Sequence, residues 1–531
     1  MLLATLLLLQ APLAARADTI PARHDALHHD ITILVGDTGT HIVGIATTTW
    51  RLRSADPIEV QLDSSFRVVR VLTDGEGERR MGRITFARNP DGGVYIPHKK
   101  QAGDTIHASI RYHGPVRDGL VIRTDSTGRR TVFADNWPDR AHRWLPLEDR
   151  PGDKATVDFH VEAPPDMRVI ANGVLQKVDT LPRGRRLWHF RMRQPISPYG
   201  MVIGAGPLAT TELPPAACAV KCVPLAVVTY PEDSAYAVDG PFRRTGEMLD
   251  FFSDLIGAFP YDRLSHVQST TIFGGMENPT AIFYSADAIR RRSLGELTVA
   301  HETAHQWFGD AVTPDDWHHL WLSEGFATYY AALWLRHAEG DSAFRAEMRR
   351  RAESVFRSGA TNRPILDTLA TDLMGLLNSN NYPKGAWVLH TLRGLVGDSA
   401  YHAGIREWYA TYRDSSALSS DFSVLMGRAA GRDLEWYFRQ ALLQPGYPKL
   451  EVGWRHRGGK LELRVTQTQD PGWGLFRLPG LVVRVDGRDH RVTVNGRESV
   501  TVLDGVPRKP ARVEVDPDGW WLLTATVTEQ R

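Results

Sequence analysis

The chain has 531 residues, of which 42% are hydrophobic and 24% are charged, and its 63 basic residues nearly balance its 62 acidic residues. This composition excludes collagen-like and largely disordered chains, and a net charge of +1 gives no electrostatic reason to expect a nucleic acid partner. At roughly 100–200 residues per domain, the length predicts about three domains.

The first residues have the pattern of a secretory signal. Residues 2–9 are nearly all apolar, and residues 15–17 (Ala-Arg-Ala) fit a small-x-small cleavage site. The apolar run is shorter than the roughly 20 residues that a membrane-spanning helix needs. We therefore expect residues 1–17 to be a signal peptide cleaved after Ala17, and a periplasmic or secreted protein with no stable membrane anchor. An apolar N-terminus without an export function is the alternative.

Residues 18–230 have the alternation of an antiparallel β domain. Segments such as 29–35 and 154–163 alternate apolar and polar residues, with Gly, Pro and Asp turns between the segments. The two cysteines of the chain, Cys218 and Cys222, lie close together in this domain. In an oxidising compartment such a pair is expected to be bridged, and two free thiols are the alternative.

Residues 231–447 have helical periodicity instead. Apolar residues recur at three- and four-residue spacing over 245–256, and Gly257 follows as a stop signal. The same periodicity predicts helices over 296–308 and 324–337.

The end of the chain returns to short strands at roughly ten-residue spacing, which predicts a small β-sandwich over residues 448–531. The predicted strand segments are 449–456, 460–468, 481–487, 490–496, 498–505 and 511–519. The expected architecture is therefore multidomain α+β, with domains at 18–230, 231–447 and 448–531.

The sharpest chemical signal is the segment HETAH at residues 301–305. Two histidines four residues apart on a helix share one face, so the imidazoles of His301 and His305 can bind one metal ion, and Glu302 can face its open position. A catalytic zinc keeps three protein ligands and one water. Glu324, separated from His305 by 18 residues, is the candidate third ligand. The pattern predicts one Zn²⁺ per chain, and a helix with two surface histidines is the alternative.

A second signal is the segment Gly274-Gly275-Met276-Glu277-Asn278, which follows a strand-like run. Two glycines let the backbone approach another chain closely. Beside a zinc ion, the carboxylate of Glu277 could neutralise the free amino group of a peptide. A turn with a solvated Glu277 is the alternative.

A third signal is Tyr382, in the segment NYPKG. A tyrosine near a zinc ion can donate a hydrogen bond to a developing oxyanion. A packing tyrosine at the junction of a loop and a helix is the alternative.

Together these segments resemble the M1 family of zinc aminopeptidases. GGMENPTAIFY is similar to the exopeptidase motif of the family, HETAHQWFGD with WLSEGFATYY to its zinc signature, and NYPKGAWVLHTL to the segment with its oxyanion-binding tyrosine. The resemblance is strong over residues 240–400. It implies a saddle-shaped N-terminal sheet, a thermolysin-like catalytic domain and a small β domain. We expect a compact form of the family, without its large C-terminal helical domain.

The resemblance implies a role for each matching residue. The expected zinc ligands are His301, His305 and Glu324. The expected catalytic residues are Glu302, as general base and proton shuttle, and Tyr382, at the oxyanion. The residues expected to hold the N-terminus of a peptide are Gly274, Gly275, Met276, Glu277 and Asn278, with Glu277 on the α-amine.

One expected amine anchor has no obvious counterpart. Relatives carry a Gln or Glu shortly before a segment that aligns with residues 141–151, and this chain has Asp135-Asn136-Trp137-Pro138 there. Asp135 or Asn136 could substitute for it.

The motifs favour a hydrolase that removes the first residue from peptides with a free N-terminus. A thermolysin-like endopeptidase, an inactive exported peptide-binding protein and an epoxide hydrolase are the alternatives. The amine-binding segment argues against an endopeptidase, and the full set of catalytic residues argues against an inactive protein. Nothing in the sequence specifically supports an epoxide hydrolase. The sequence leaves the oligomeric state and the preferred first residue open.

Overall fold

The computed structural model describes residues 24–74, 81–125 and 128–530, so the predicted signal peptide lies outside the described residues. Two compact units are present. Of the described residues, one contains those of 24–317 with Arg406–Leu418, and the other contains His318–Ile405 with 419–530. The domain boundaries predicted at residues 230 and 447 stay predictions.

The first unit begins with the predicted β-rich region. Its strands are, in chain order, β1 (His24–Val35), β2 (His41–Leu52), β3 (Ile58–Val60), β4 (Arg67–Asp74), β5 (Met81–Arg83), β6 (Ala87–Arg88), β7 (Val94–Ile96), β8 (Thr105–Pro115), β9 (Leu120–Thr124), β10 (Arg130–Ala134), β11 (Ala155–Ala163), β12 (Arg168–Ala171), β13 (Val174–Thr180), β14 (Arg186–Ile196), β15 (Ile203–Gly206), β16 (Ala209–Ala216) and β17 (Val223–Thr229).

The largest sheet of this region has eight strands in the order β13-β14-β11-β1-β2-β8-β4-β5. Its neighbouring strands are antiparallel, except that β1 and β11 run parallel. Along β1 the side chains of Ile31, Ile33 and Val35 are buried, while those of Thr32 and Leu34 between them, and of Asp30 before them, are half-exposed. One face of the sheet is therefore packed and the other is polar, as the alternation in the sequence predicts.

The helical part of the first unit continues from this region. Its elements are α1 (Ser234–Asp239), α2 (Thr245–Ile256), β18 (Leu264–Ser269), β19 (Gly275–Met276), β20 (Ala281–Ser285), α3 (Ala286–Arg290), α4 (Glu296–His305) and β21 (Val312–Pro314). A five-stranded sheet runs in the order β16-β17-β18-β20-β19, so the short strand β19 is its edge. Cys218 and Cys222, beside this sheet, form a disulfide.

The second unit contains the remaining helices and the C-terminal strands. After β21 the chain forms α5 (Trp321–Glu339), α6 (Asp341–Arg357), α7 (Gly385–Val396), α8 (Asp398–Tyr412), β22 (Ser415–Ala417), α9 (Ser419–Ala430), α10 (Glu435–Phe438), β23 (Lys449–Arg457), β24 (Lys460–Gln467), β25 (Leu478–Val485), β26 (Arg488–Val494), β27 (Glu498–Leu503), β28 (Val513–Val515) and β29 (Thr524–Glu529). Of these, β22 and the end of α8 belong to the first unit, where β22 pairs with β21.

The C-terminal strands form two sheets with a shared hydrophobic core, as expected for a small sandwich. One sheet has the order β27-β24-β23-β29 and the other β26-β25-β28. Leu450 and Val452 of the first sheet and Leu481 and Val483 of the second lie in one buried cluster. Strand β29, which the sequence analysis did not anticipate, pairs in parallel with β23.

The limits of α2 agree with the predicted ones, whereas those of α4 and α5 differ. Helix α2 ends at Ile256, and Gly257 follows with φ of 144°, as predicted. Helix α4 ends at His305, three residues before the predicted end, and α5 begins three residues before Glu324. Among the described residues, the structure has no helix long and apolar enough to cross a membrane.

Candidate active site and metal centre

The two predicted histidine ligands lie together at the end of α4. The Nε2 atoms of His301 and His305 are 3.0 Å apart. The Nδ1 atom of His305 lies 2.9 Å from the carbonyl oxygen of Phe308, which can accept its proton and leave Nε2 as the metal-binding atom. This contact is possible because α4 ends at His305. The backbone then turns and brings the carbonyl oxygen of Phe308 back to the imidazole of His305.

Two buried carboxylates lie beside this pair. One ligand atom from each of Glu277, Glu302 and His305 lies within 4.8 Å of the other two. Glu277 is 5% exposed and Glu302 is 6% exposed. Two carboxylates this close and this buried repel each other, so the arrangement favours a cation bound between them.

Strand β19 brings Glu277 to this position. Gly275 pairs with Tyr284 and Met276 with Phe283 in antiparallel register on β20, and Glu277 follows directly. Because β19 is the edge of its sheet, its outer side can pair with an extended peptide backbone.

Gly275 lies directly against the side chain of Glu302 on α4. A Cβ atom placed on Gly275 would overlap the carboxylate of Glu302, whereas one placed on Gly274 would meet no atom within 4 Å. The second glycine of the motif thus leaves room for the predicted general base.

Gln306 holds the motif against α4. Its Nε2 atom donates to the carbonyl oxygen of Glu277 at 2.6 Å and to the carboxylate of Asp310 at 2.7 Å. Its Oε1 atom accepts from the backbone N–H of Thr280 at 3.0 Å. Thr280 has φ of 68°, a conformation that is costly for a β-branched residue and that these contacts help to maintain.

The sequence analysis missed Gln306 and Asp310. The available signal was two polar residues, Gln306 and Asp310, on either side of the apolar and aromatic residues 307–309 that follow the second histidine. Burial, and then the nearby carboxylate of Glu277, raise the pKa of Asp310 well above its ordinary value. This adds a third buried carboxyl group to the neighbourhood of His305.

Glu324 and Tyr382 belong to the second unit. Glu324 is 5% exposed in the first turn of α5, and Tyr382 is half-buried in a π-helical turn, Asn380–Lys384. A Cβ atom on Gly325 would lie 2.9 Å from Cα of Gly385. Helices α5 and α7 therefore meet at two glycines, which brings the turn that carries Glu324 close to the segment that carries Tyr382.

The two candidate amine anchors have different surroundings. Asp135 binds Arg140 at 2.6 Å and accepts from the backbone N–H of Ile272 at 3.1 Å, so it supports the loop before the Gly274–Asn278 motif. Asn136 instead binds the indole N–H of Trp144 at 2.8 Å and the carbonyl oxygen of Met201 at 2.7 Å. Asn136 therefore has a structural role, and Asp135 is the candidate in contact with the motif loop.

Two protein-family models match this chain. Residues 25–199 match the model of the peptidase M1 N-terminal domain, and residues 241–440 match that of the peptidase family M1 domain. Probable aminopeptidase 2 of Sulfurisphaera tokodaii is 25% identical over 490 residues, which cover 87% of this chain and 59% of the relative. The chain thus spans less than two thirds of the length of that curated relative.

Solved structures give the same result. The crystal structure of an M1 zinc metallopeptidase from Deinococcus radiodurans has a TM-score of 0.70 and 25% identity, and the match covers 80% of this chain and 94% of the other. A mutant from the same organism, with a bound Tyr-Ser-Ala substrate, has a TM-score of 0.68 and 23% identity, with 79% and 94% covered. The family models, the relatives and these structures confirm the predicted resemblance, and the chain belongs to peptidase family M1.

Proposed function

We propose that this protein is a zinc aminopeptidase, which removes the first residue from peptides with a free N-terminus. The observation that carries the proposal is the close group of Glu277, Glu302 and His305. A carboxylate beside a predicted zinc ligand provides a partner for the ammonium group of a substrate. The archaeal relative is named as a probable aminopeptidase, and a neighbour of similar fold was crystallised with a tripeptide substrate.

The residues fit one zinc ion per chain. His301 and His305 present two Nε2 atoms to the same point, and imidazole nitrogen is a preferred zinc donor. Glu324 is proposed as the third ligand because of its spacing in the zinc signature. When bound, zinc lowers the pKa of a coordinated water and polarises a carbonyl group.

Glu302 and Glu277 have different proposed roles. Glu302 takes the proton of the attacking water and passes it to the leaving amine, as general base and then general acid. Glu277 binds the α-ammonium group, because an unpaired charge in a buried site is unfavourable. When the α-ammonium group is bound to Glu277, the carbonyl of the first peptide bond lies at the metal site. Only this bond can then react. The edge of β19, at Gly275 and Met276, is the proposed seat of the substrate backbone.

Tyr382 is proposed to donate its hydroxyl hydrogen to the oxyanion that develops at the scissile carbonyl. Gly274, before β19, and Asn278, two residues after β19, complete the proposed substrate-binding segment.

The test compares a short peptide that has a free N-terminus with its N-acetylated form. We expect the free peptide to be hydrolysed at its first bond, and chelation followed by added zinc to abolish and restore the activity. The Glu277→Gln variant should lose most of its activity on the free peptide. The ratio of the hydrolysis rates of the free and the acetylated peptide should therefore decrease. Glu296→Gln, at the start of α4, is the matched control and should leave the preference unchanged.

The other functions give different results in this test. Internal cleavage, with equal rates on the acetylated peptide, would identify an endopeptidase. Zinc binding and peptide binding without any cleavage would identify an inactive binding protein.

We further propose that the protein is exported and that mature material begins at Asp18. The apolar run and the cleavage pattern of residues 1–17 support this. The Cys218–Cys222 disulfide is compatible with an oxidising compartment. Intact-mass measurement of protein from the native host tests it, and a cytoplasmic protein that retains residues 1–17 would contradict it.

A further inference from the structure

Lys154, which directly precedes β11, has its side-chain amine against the backbone that follows α4. The Nζ atom donates to the carbonyl oxygens of Asp310 and Ala311, at 2.8 Å in each case. It also lies 3.1 Å from the carbonyl oxygen of Ser415 on β22. One half-buried side chain of the β-rich region thus joins two other segments of the first unit.

These carbonyl oxygens belong to the turn in which α4 ends. The backbone N–H of Asp310 donates to the carbonyl oxygen of His305 at 3.1 Å, and that of Ala311 donates to the carbonyl oxygen of Gln306 at 3.3 Å. A cation at the C-terminal end of a helix is favourable, because the last carbonyl groups lack partners within the helix. Lys154 therefore holds the end of the helix that contains the HETAH segment.

The same turn orients the second histidine of that segment. The Nδ1 atom of His305 lies 2.9 Å from the carbonyl oxygen of Phe308, two residues before Asp310. A carbonyl group that accepts from the second ring nitrogen of a metal ligand fixes the orientation of the imidazole. If the bonds from Lys154 were lost, this carbonyl group would be held less firmly, and so would the ring of His305.

The turn also positions the proposed amine-binding segment. The carboxylate of Asp310 accepts from Nε2 of Gln306 at 2.7 Å, and the same nitrogen donates to the carbonyl oxygen of Glu277 at 2.6 Å. Hydrogen bonds therefore connect the backbone of Asp310, which Lys154 holds, with the backbone of Glu277.

We propose that Lys154 is a positioning residue for the candidate active site, which holds a metal ligand and the amine-binding segment in place through the turn 308–311. It acts on His305 through the carbonyl group of Phe308, and on Glu277 through Asp310 and Gln306. This inference rests on the proposed function, but its effect on metal binding can be measured without any peptide cleavage.

The test uses the full chain with Lys154→Met, which keeps a long side chain and removes the amine. The zinc Kd, measured by competition with a chelator of known affinity, should rise about tenfold, because loss of a group that orients a metal ligand costs about 10–100-fold in affinity. KM for a peptide with a free N-terminus should rise more than kcat falls. The ratio of the hydrolysis rates of the free and the N-acetylated peptide should decrease.

Arg88→Met is the matched control. Arg88 is also a cation that donates to three backbone carbonyl oxygens, those of Leu62, Asp63 and Phe66. These carbonyl groups lie outside the metal-binding and amine-binding segments. The control variant should lose stability, while its zinc Kd and its ratio of free to acetylated hydrolysis should equal those of the wild type.

A wild-type zinc Kd in Lys154→Met, or an equal rise of the zinc Kd in Arg88→Met, would overturn the proposal. If Lys154→Met does not fold, Lys154→Gln replaces it, since the amide keeps N–H donors on a shorter side chain. Its zinc Kd should rise severalfold, and an unchanged Kd would also overturn the proposal.

The double variant Lys154→Met/Gln306→Ala tests the connection to Glu277. Its change in the ratio of free to acetylated hydrolysis should be smaller than the product of the two single changes, because both substitutions act on the same segment. Independent effects would contradict the connection. A wild type with no preference for the free peptide would contradict the proposed function itself. A preference that persists in Lys154→Met would contradict only the role of Lys154.

Discussion

The side-chain amide nitrogen of Gln306 lies 2.6 Å from the backbone carbonyl oxygen of Glu277, and this hydrogen bond joins the proposed amine-binding segment to the helix with the HETAH sequence. The same side chain binds Asp310 and Thr280. One residue therefore fixes the position of Glu277 relative to His305, although it belongs to none of the predicted catalytic or binding positions.

The first prediction concerns this positioning residue. Gln306→Ala removes three hydrogen bonds and leaves buried partners unpaired, so we expect a loss of stability of about 2–3 kcal/mol. We also expect KM for free-amine peptides to rise and discrimination against acetylated peptides to shrink, because Glu277 is no longer held in place. Denaturant unfolding and steady-state kinetics measure the two effects.

Thr303→Val is the matched control for Gln306→Ala. Thr303 is buried in α4, and its hydroxyl donates to the carbonyl oxygen of Val299. This substitution should reduce stability and leave the preference for a free amine intact. If both variants changed that preference equally, Gln306 would have no special positioning role.

The second prediction concerns the close approach of Gly275 to Glu302. Gly275→Ala adds a Cβ atom where the carboxylate of Glu302 lies, so Glu302 must move. A misplacement of about 1 Å can cost about 10²-fold in rate, so we expect kcat to fall by that order while zinc content stays at the wild-type level.

Gly295→Ala tests whether any added methyl group near α4 has this effect. Gly295 precedes α4, and a Cβ atom there would meet nothing within 4 Å. Its kcat should match the wild type. A fully active Gly275→Ala enzyme would exclude Glu302 as a base held in the observed position.

The third prediction concerns Tyr382. Tyr382→Phe keeps the ring but removes the hydroxyl donor, so kcat should fall by about 10²–10³-fold with little change in KM. Tyr437→Phe provides the comparison, because its buried hydroxyl donates to the carbonyl oxygen of Val388 at 2.6 Å, outside the proposed site. That variant should lose stability and keep kcat. Similar kinetics for both variants would make Tyr382 a packing residue.

The fourth prediction concerns acid stability. His266 is buried between Thr245 and Tyr284 and stacks on Phe242, and burial lowers its pKa to about 3. The unfolded chain, with an ordinary histidine pKa of about 6.5, therefore binds more protons than the folded chain between pH 3 and 6.5. The contribution of His266 to the free energy of unfolding therefore falls as the pH drops through this range.

His266→Gln should remove this component of the pH dependence. Between pH 7.5 and 5, urea unfolding of the wild type should lose about 2 kcal/mol more than unfolding of the variant. His41→Gln, at an exposed histidine on β2, should follow the wild-type pH dependence. Parallel pH profiles for the wild type and His266→Gln would show that His266 is not kept neutral by the fold.

Several features of this protein could be predicted from local patterns in the sequence. The alternation along β1 predicts a strand with one buried face, because side chains of a strand alternate between its two sides. The apolar spacing of α2 and the position of Gly257 predict a helix and its end. The four-residue spacing of His301 and His305 predicts two nitrogens at one point, since the geometry of a helix is fixed by its hydrogen bonds.

Other features required the tertiary structure, because they depend on residues that are distant in the sequence. The amide of Gln306 reaches Glu277 only because β19 lies beside α4, and the same packing places Gly275 against the side chain of Glu302. The parallel pairing of β29 with β23 joins strands about 75 residues apart, which no local pattern reveals.

The strongest contrast is between the two histidine pairs. His301 and His305 are four residues apart on one helix, so the sequence alone determined that their imidazoles share one face. His160 and His189 lie on different strands and meet Asp30 from a third, so only the register of the sheet decided that they are neighbours. A helix fixes the distance between nearby residues through its own hydrogen bonds, whereas a sheet fixes distances between remote residues through pairing that the whole fold selects.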